Sequence, residues 1–431
     1  MDSIQIIGGQ SLHGVIPISG AKNAALPLMI AALLTEETLT LENVPHLADV
    51  ELLIRILNNH GVDYAVEGRR ENKQFADART IHFTAQKIAT VFAPYELVSK
   101  MRASFWVLGP LLARCGEAYV SLPGGCAIGT RPVNFILEGL KSLGAHVEIE
   151  KGYVHAKAPK GLKGGTYRFP KVTVGGTHVM LMAAVLADGK TILENAACEP
   201  EVTNLIQALK AMGAKITGEE TSTLIIEGVE KLNGARVRVI ADRIEAGTYA
   251  MAVAMTGGDV LLKNANPHHL KKVLQVLENT GLTIQEKNDG IQVQRDKTQT
   301  KISPVNIRTG PYPEFPTDLQ AQFMALMICA QGEAYITETI FENRFMHVQE
   351  LVRLGASITL NGQTATVHGT DQLQGAEVMA TDLRASVSLV IAALAAQGKT
   401  MVNRVYHLDR GFERLEEKLA QCGAKIQRIS V

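Results

Sequence analysis

A two-domain α/β (α+β) fold, an inside-out barrel of six repeated α+β units with helices buried inside the sheets and three units per domain, is expected from three features of this 431-residue chain. Nearly all-apolar stretches recur six times, and a helix that is apolar all round has to be buried. Five of the six are followed by a glycine and a short alternating strand pattern; the first copy lacks the glycine and reads TLTLENV from Thr38. Every unit then runs into an amphipathic helix that stops at a glycine and re-enters a strand. The six stopping glycines recur at roughly seventy-residue intervals, the mark of an internal repeat.

In chain order, the first unit reads AALPLMIAALL from Ala24, then TLTLENV, then LIRILNNHGVDYAV with its stop at Gly61. The second reads MRASFWVLGPLLA from Met101, GEAYV from Gly116 and LEGLKSLGAHVEI through Gly144. The third has HVMLMAAVLA from His178, GKTIL from Gly189 and LIQALKAMGAKIT through Gly213. YAMAVAM, GDVLL and VLQVLENTGLTIQ, stopping at Gly281, make the fourth. The fifth and sixth are FMALMICA, GEAYI and LVRLGASITL with Gly355, and SVSLVIAALAA, GKTMV and LEEKLAQCGAKIQ with Gly423. An extra charged piece in the first unit, RRENKQFADART from Arg69 to Thr80, is expected as an exposed loop or hairpin.

The domain boundary is expected near residue 240, in VRVIADRIEAG. Residues 22–240 form one three-unit domain, carrying the Cys126 loop, and residues 1–21 with 241–431 form the other, completed by the N-terminal strand IQIIGGQSLHGVIPIS. The active site is expected in the cleft between them.

Composition excludes several functions. Forty-three basic residues balance forty-three acidic ones, and there is one tryptophan, so neither a field for nucleic acid nor a stacking platform is present. No apolar run reaches the about 18 residues of a membrane helix. MDSIQIIGG has no targeting pattern, and five cysteines without CxxC spacing predict a reducing cytoplasm and no disulfides.

LPGGCAIGTRP, from Leu122 to Pro132, places Cys126 among Gly124, Gly125 and Gly129, five residues ahead of Arg131. Glycine-rich backbone can close over a ligand, and a thiol beside an arginine is suited to anion chemistry as acid or nucleophile. A lone cysteine is ordinarily a small buried hydrophobe, which is how Cys329 and Cys422 read in their apolar helices, while Cys115 and Cys198 precede turn-like segments.

Charge also gathers at the buried helices. Lys22 and Asn23 precede the first, Arg102 lies in the second, Asp318 opens the fifth, and Asp382 with Arg384 opens the sixth. Helix N-termini and arginine forks together bind phosphate or carboxylate. Asp318 and Asp382 read equally as helix N-caps, and Asp318 as a general base for a hydroxyl. Arg344 and Arg410 follow strands, either as surface ion pairs or as cations at one mouth. His268 and His269 are adjacent and are not expected to share a metal; no metal or organic cofactor is expected.

ISGAKNAALP, MRASFWVLGP, LPGGCAIGTRP, DRIEAGT, FPTDLQAQF, FENRFMH, ATDLRAS and DRGFERLEEKL, in this order along essentially the whole chain, resemble the UDP-N-acetylglucosamine 1-carboxyvinyltransferase family of the EPSP synthase superfamily. The resemblance implies transfer of the enolpyruvyl group of phosphoenolpyruvate to the 3-hydroxyl of UDP-N-acetylglucosamine with release of phosphate. That is the first committed step of peptidoglycan synthesis, and fosfomycin blocks it. By the same resemblance Cys126 protonates the methylene carbon and forms an adduct, and Asp318 takes the hydroxyl proton. Lys22, Arg131 and Arg410 hold the phosphate, and Arg344 and Arg384 bind the carboxylate. The sugar nucleotide lies against Asn23, Arg102, Arg131, Pro132, Val133, Asn134, Phe135, Lys171, Val172, Thr173, Val174, Asp318 and Ile340. The family usually has Asp where this chain has Asn134, and His two positions later where it has Ile136, so the resemblance implies weaker contact with uracil or ribose. Two alternatives stay open: an enzyme acting on shikimate 3-phosphate with the same architecture, and a non-catalytic regulator that binds UDP-N-acetylglucosamine.

Overall fold

The computed structural model describes residues 2–67, 79–124, 133–298 and 300–430. They divide into two compact units, one running over the described residues from Gly20 to Ile240, the other over those before Gly20 together with those from Ala241 onward. Each has its own apolar core.

Among the described residues, six helices fill the cores. In the first unit they are α1 (Lys22–Ala31), α2 (Leu108–Cys115) and α3 (Val174–Ala184). In the second they are α4 (Arg243–Thr256), α5 (Gln320–Ile328) and α6 (Leu383–Ala395). All residues of α4 and α5 are buried, as expected of a helix with no polar face. Close approach needs small residues: a Cβ on Gly109 of α2 would stand 2.7 Å from the Val179 carbonyl oxygen of α3. MRASFWVLGPLLA is not one α-helix, because Arg102–Val107 winds as a 3-10 helix before α2 begins. Pro110 is then in the first turn of α2, where its missing N–H costs nothing.

The described residues form six four-stranded sheets, three per unit, with one topology. The strand after each buried helix pairs in parallel with an edge strand and antiparallel with a third, which pairs antiparallel with the fourth. Two edges are filled from far along the chain. Ala235–Arg238 runs parallel to Thr38–Val44, and Leu12–Pro17 runs parallel to Gly258–Lys263. Ser3–Ile7 lies between Lys399–Asn403 and Lys425–Ile429, so the N-terminal segment completes two sheets of the second unit.

The six covering helices stop in one way. Gly61, Gly144, Gly213, Gly281, Gly355 and Gly423 all have φ between 85° and 105°. In the first, Gly61 N–H donates to Asn58 and Val62 N–H to Leu57, the paired bonds of a Schellman motif, and the other five repeat it. A Cβ at these positions is strained, which explains glycine at every stop.

The end of the charged insert is the second arm of a hairpin with Asp63–Glu67, one of the two forms expected. Residues 69–78 lie outside the described residues, but Arg79 and Thr80 open a strand, Arg79–Thr84, between Thr38–Val44 and Asp63–Glu67. Alternation decides it: Ile81 and Phe83 are buried in the core while Thr80, His82 and Thr84 are only half-buried, and Arg79 at the strand's start donates to Glu51 at 2.7 Å and to the Pro45 carbonyl.

Candidate active site

The first unit presents residues on separate elements. Lys22 is itself the first residue of α1, with Asn23 behind it, rather than preceding the helix. Its ammonium is buried and donates to Asp49 Oδ2 at 3.2 Å. Asp49, in the first turn of the helix Ala48–Asn59, was not singled out from sequence, because an acid in a first turn reads as a helix-dipole residue. Arg102 is half-buried in its 3-10 turn. Thr173 caps α3, accepting from Gly176 N–H at 3.2 Å, with Val172 and Val174 half-buried beside it and Lys171 exposed. Asn134 begins the helix Asn134–Ser142 and is exposed; Val133 precedes it, and the Phe135 carbonyl accepts from Tyr167 Oη at 2.7 Å. Cys126, Arg131 and Pro132 lie outside the described residues. At the loop's entrance, a Cβ on Gly124 would stand 2.6 Å from the Ser99 carbonyl oxygen, so this glycine permits close backbone approach.

The second unit assembles its charges. Asp318 is not a helix N-cap: it is the middle residue of the 3-10 turn Thr317–Leu319 before α5. Its Oδ1 accepts from Arg344 Nη2 at 2.8 Å and its Oδ2 from Arg384 Nη2 at 2.9 Å. Asp382, read from sequence in the same way, does cap α6, accepting from Arg384 and Ala385 N–H at 2.9 and 3.0 Å. Arg344 is not a surface ion pair, being 5 % exposed, and Arg384 is equally buried. Their guanidinium groups lie over the rings of Phe341, at 5.4 Å, and Phe412, at 5.7 Å. Ile340 is half-buried, and its N–H donates to Glu338 Oε1 at 2.7 Å.

Arg410 ends the 3-10 turn Val405–Arg410 and is half-buried. Burial, then the Arg410 charge, hold His407 below its ordinary range, while Asp382 opposes them. Burial also lowers His347 to about 4, with Asp382 opposing and Arg344 reinforcing the effect. Both imidazoles are therefore uncharged beside these cations at neutral pH.

A buried pair missed by sequence reasoning braces the same unit. Lys418 donates to Glu245 Oε1 at 2.5 Å and to Ser19 Oγ at 2.8 Å, and Ser19 N–H donates to Glu245 Oε2 at 2.8 Å. Burial pushes the Glu245 carboxyl up and Lys418 pulls it back. The pair ties α4, the helix Leu415–Gln421 and the incoming N-terminal segment together; its signal was the charge inside DRIEAGT and RLEEKL.

His268 and His269 belong to a local turn, with Asn266 Oδ1 accepting from His268 N–H and its amide 3.2 Å from His269 Nε2. Among the described residues no group of three or more His, Cys, Asp or Glu is placed to hold a metal ion. No helix among them is long and apolar enough to cross a membrane. Cys329, half-buried by residue surface, has its thiol pushed up to about 12 by burial; Cys422 is buried, Cys198 half-buried and Cys115 exposed.

Comparison with known proteins agrees with this architecture. The family model for EPSP synthase (3-phosphoshikimate 1-carboxyvinyltransferase) matches residues 6–419. A UDP-N-acetylglucosamine 1-carboxyvinyltransferase of Bartonella quintana (strain Toulouse) is 80 % identical over 431 residues, covering all of both chains. One of Brucella ovis is 69 % identical over 430 residues, with the same coverage. Among solved structures, the enolpyruvyl transferase NikO from Streptomyces tendae superposes with a TM-score of 0.86 at 24 % identity, over 100 % of this chain and 99 % of that one. An EPSP synthase from Acinetobacter baumannii does so at 0.77 and 19 %, over the whole of both, and these two share the fold. With its sheets wrapped around buried helices and its full-length identity to those relatives, the chain belongs to the EPSP synthase family, among its UDP-N-acetylglucosamine 1-carboxyvinyltransferases.

Proposed function

We propose that this chain transfers the enolpyruvyl group of phosphoenolpyruvate to the 3-hydroxyl of UDP-N-acetylglucosamine, with release of phosphate, by addition and elimination. The observation that carries the reading is the 80 % and 69 % identity, end to end, to relatives of that name. Identity of that order favours the sugar nucleotide over shikimate 3-phosphate, for which the resemblance is one of fold at 19 %.

In the proposed reaction the Cys126 thiol gives its proton to the methylene carbon of phosphoenolpyruvate, and the sugar oxygen bonds to the adjacent carbon while Asp318 takes the hydroxyl proton. Phosphate then leaves that carbon as a methyl proton returns to sulfur, restoring the double bond. Lys22, Arg131 and Arg410 hold the phosphate; Arg344 and Arg384 hold the carboxylate. Each Asp318 oxygen accepts one guanidinium bond, which orients the carboxylate proposed to take the hydroxyl proton. Cations fixed in advance where charge develops lower the barrier without reorganising during reaction. The proposal draws on residues of both units, on a role in peptidoglycan synthesis in the cytoplasm, and on fosfomycin as an alkylating agent for Cys126.

The test is phosphate release from phosphoenolpyruvate, with and without UDP-N-acetylglucosamine, by the wild type and Cys126→Ala. Release that needs both the nucleotide and the thiol supports the reading. No release by the wild type, with UDP-N-acetylglucosamine bound tightly, replaces it with a regulatory binder.

A further inference from the structure

Glu338 is 1 % exposed, and none of the residues assigned a role above explains why a carboxylate is buried there. Four donors converge on it. Oε1 accepts from Thr309 Oγ1 at 2.9 Å, Ile340 N–H at 2.7 Å and Phe341 N–H at 3.2 Å. Oε2 accepts from Thr317 Oγ1 at 2.8 Å. The residue follows the strand Glu333–Thr337, so one side chain joins the edge of that sheet, the turn that carries Asp318 and the turn that carries Ile340 and Phe341.

The direction of these bonds matters. Arg344 Nη1 donates to Thr317 Oγ1 at 2.8 Å, and a guanidinium has no acceptor, so the threonine must spend its own proton on Glu338. The chain therefore runs one way, from Arg344 through Thr317 to Glu338. Arg344 is held from a second side as well, because its guanidinium lies over the ring of Phe341, whose backbone N–H is fixed by the same carboxylate. From Arg344 the remaining fork reaches Asp318 Oδ1.

We infer that Glu338 is a positioning residue for the proposed transfer, setting through Thr317 and Phe341 the orientation of Arg344 and with it the carboxylate of Asp318. The inference rests on the function proposed above. A buried carboxylate that only receives hydrogen bonds is costly unless all are made, and here it fixes a hydroxyl as acceptor where a neutral amide would not. In Glu338→Gln the amide would donate toward Thr317 Oγ1, already an acceptor from Arg344, and the hydroxyl proton loses its partner. Small misplacement of reacting groups costs up to about a hundredfold in rate.

The experiment compares Glu338→Gln, Thr317→Val, Thr317→Ser and the Glu338→Gln/Thr317→Val pair with the wild type. It measures kcat, KM for each substrate, thermal midpoint, and the rate at which fosfomycin alkylates Cys126 with UDP-N-acetylglucosamine present. The first two variants are expected to lose about ten- to a hundredfold in kcat, with KM within about threefold and alkylation within about twofold. Thr317→Ser keeps the hydroxyl and is expected to turn over within about threefold of wild type, and the pair to be no worse than its poorer member. Folded Glu338→Gln with wild-type kcat overturns the inference, as does a rate loss accompanied by an equal loss of alkylation. If Glu338→Gln does not fold, equal kcat for Thr317→Val and Thr317→Ser overturns it. A wild type that releases no phosphate ends the proposed function itself, whereas an active wild type with an unaltered Glu338→Gln ends this inference alone.

Discussion

In the unit that begins at Ala241, three of the charged side chains selected by the resemblance bind one another, whereas in the unit from Gly20 to Ile240 the described residues it selects lie on separate elements with separate surroundings. Asp318, Arg344 and Arg384 form a single braced group. Lys22 meets Asp49, Thr173 caps its own helix, and Asn134 stands exposed at a helix start. Groups that share partners respond to mutation as a unit, while separated ones respond additively. The braced set holds the residues proposed for proton transfer and carboxylate binding, the separated set those proposed to hold phosphate and nucleotide.

The largest expected effect comes from Asp318→Asn, which keeps an oxygen for one arginine and removes the base. Its kcat should fall by about 10²- to 10⁴-fold with UDP-N-acetylglucosamine binding retained, and turnover within tenfold of wild type would break the assignment. Combining it with Arg344→Lys should cost much less than the sum of the two single losses in free energy. Additive losses would dissolve the braced group into independent contacts.

Acid should affect both units next. Burial lowers His178 of α3 to about 3, with the Glu201 backbone opposing, and lowers His347 to about 4. In each case the folded form binds fewer protons than the unfolded one. The stability is present above the ordinary value of 6.5 and is lost as pH falls through 6.5 toward 4 and 3. Each fully buried ring contributes on the order of 3 kcal/mol over that window. Denaturant titrations at pH 7 and pH 5 should show His178→Phe less acid-sensitive than wild type; an unchanged difference between the two pH values rejects the assignment. His178 packs edge-on against Trp106, with ring centroids 5.2 Å apart, so the sole tryptophan reports unfolding of that unit by fluorescence.

A smaller effect is expected from Gly109→Ala, whose new methyl meets the Val179 carbonyl. The cost should be about 1 to 3 kcal/mol, seen as a lower thermal midpoint, with kcat of the folded fraction nearly unchanged. A large loss of kcat at full stability would show that α2 and α3 do more than support binding. The smallest change is Asn134→Asp, which adds an acid to the exposed first turn of its helix. It should gain about 0.3 to 1 kcal/mol there and lower KM for UDP-N-acetylglucosamine by at most a few fold. No change in KM would remove this position from the binding set.

The repeat and its punctuation were readable because they are local. An apolar stretch, a following strand and a left-handed glycine each depend on a few neighbouring residues, and all six stops fall at the glycines read from sequence. Asp318 and Asp382 show where local reading ends. Both sit just before a buried helix in nearly the same context, yet only Asp382 caps, because Arg344 and Arg384 arrive at Asp318 from 26 and 66 residues away. Glu338 and Lys418 left still less signal: in TETIF and LEEKL they look like solvated charges.

The sequence by itself determined the six units, their buried helices and the kinship that names the reaction, since these rest on periodicity and on motifs in order. Only the tertiary structure decided which charges meet. A carboxylate's role depends on the donors within about 3 Å of it, and the fold draws those donors from strands and turns far apart in the chain.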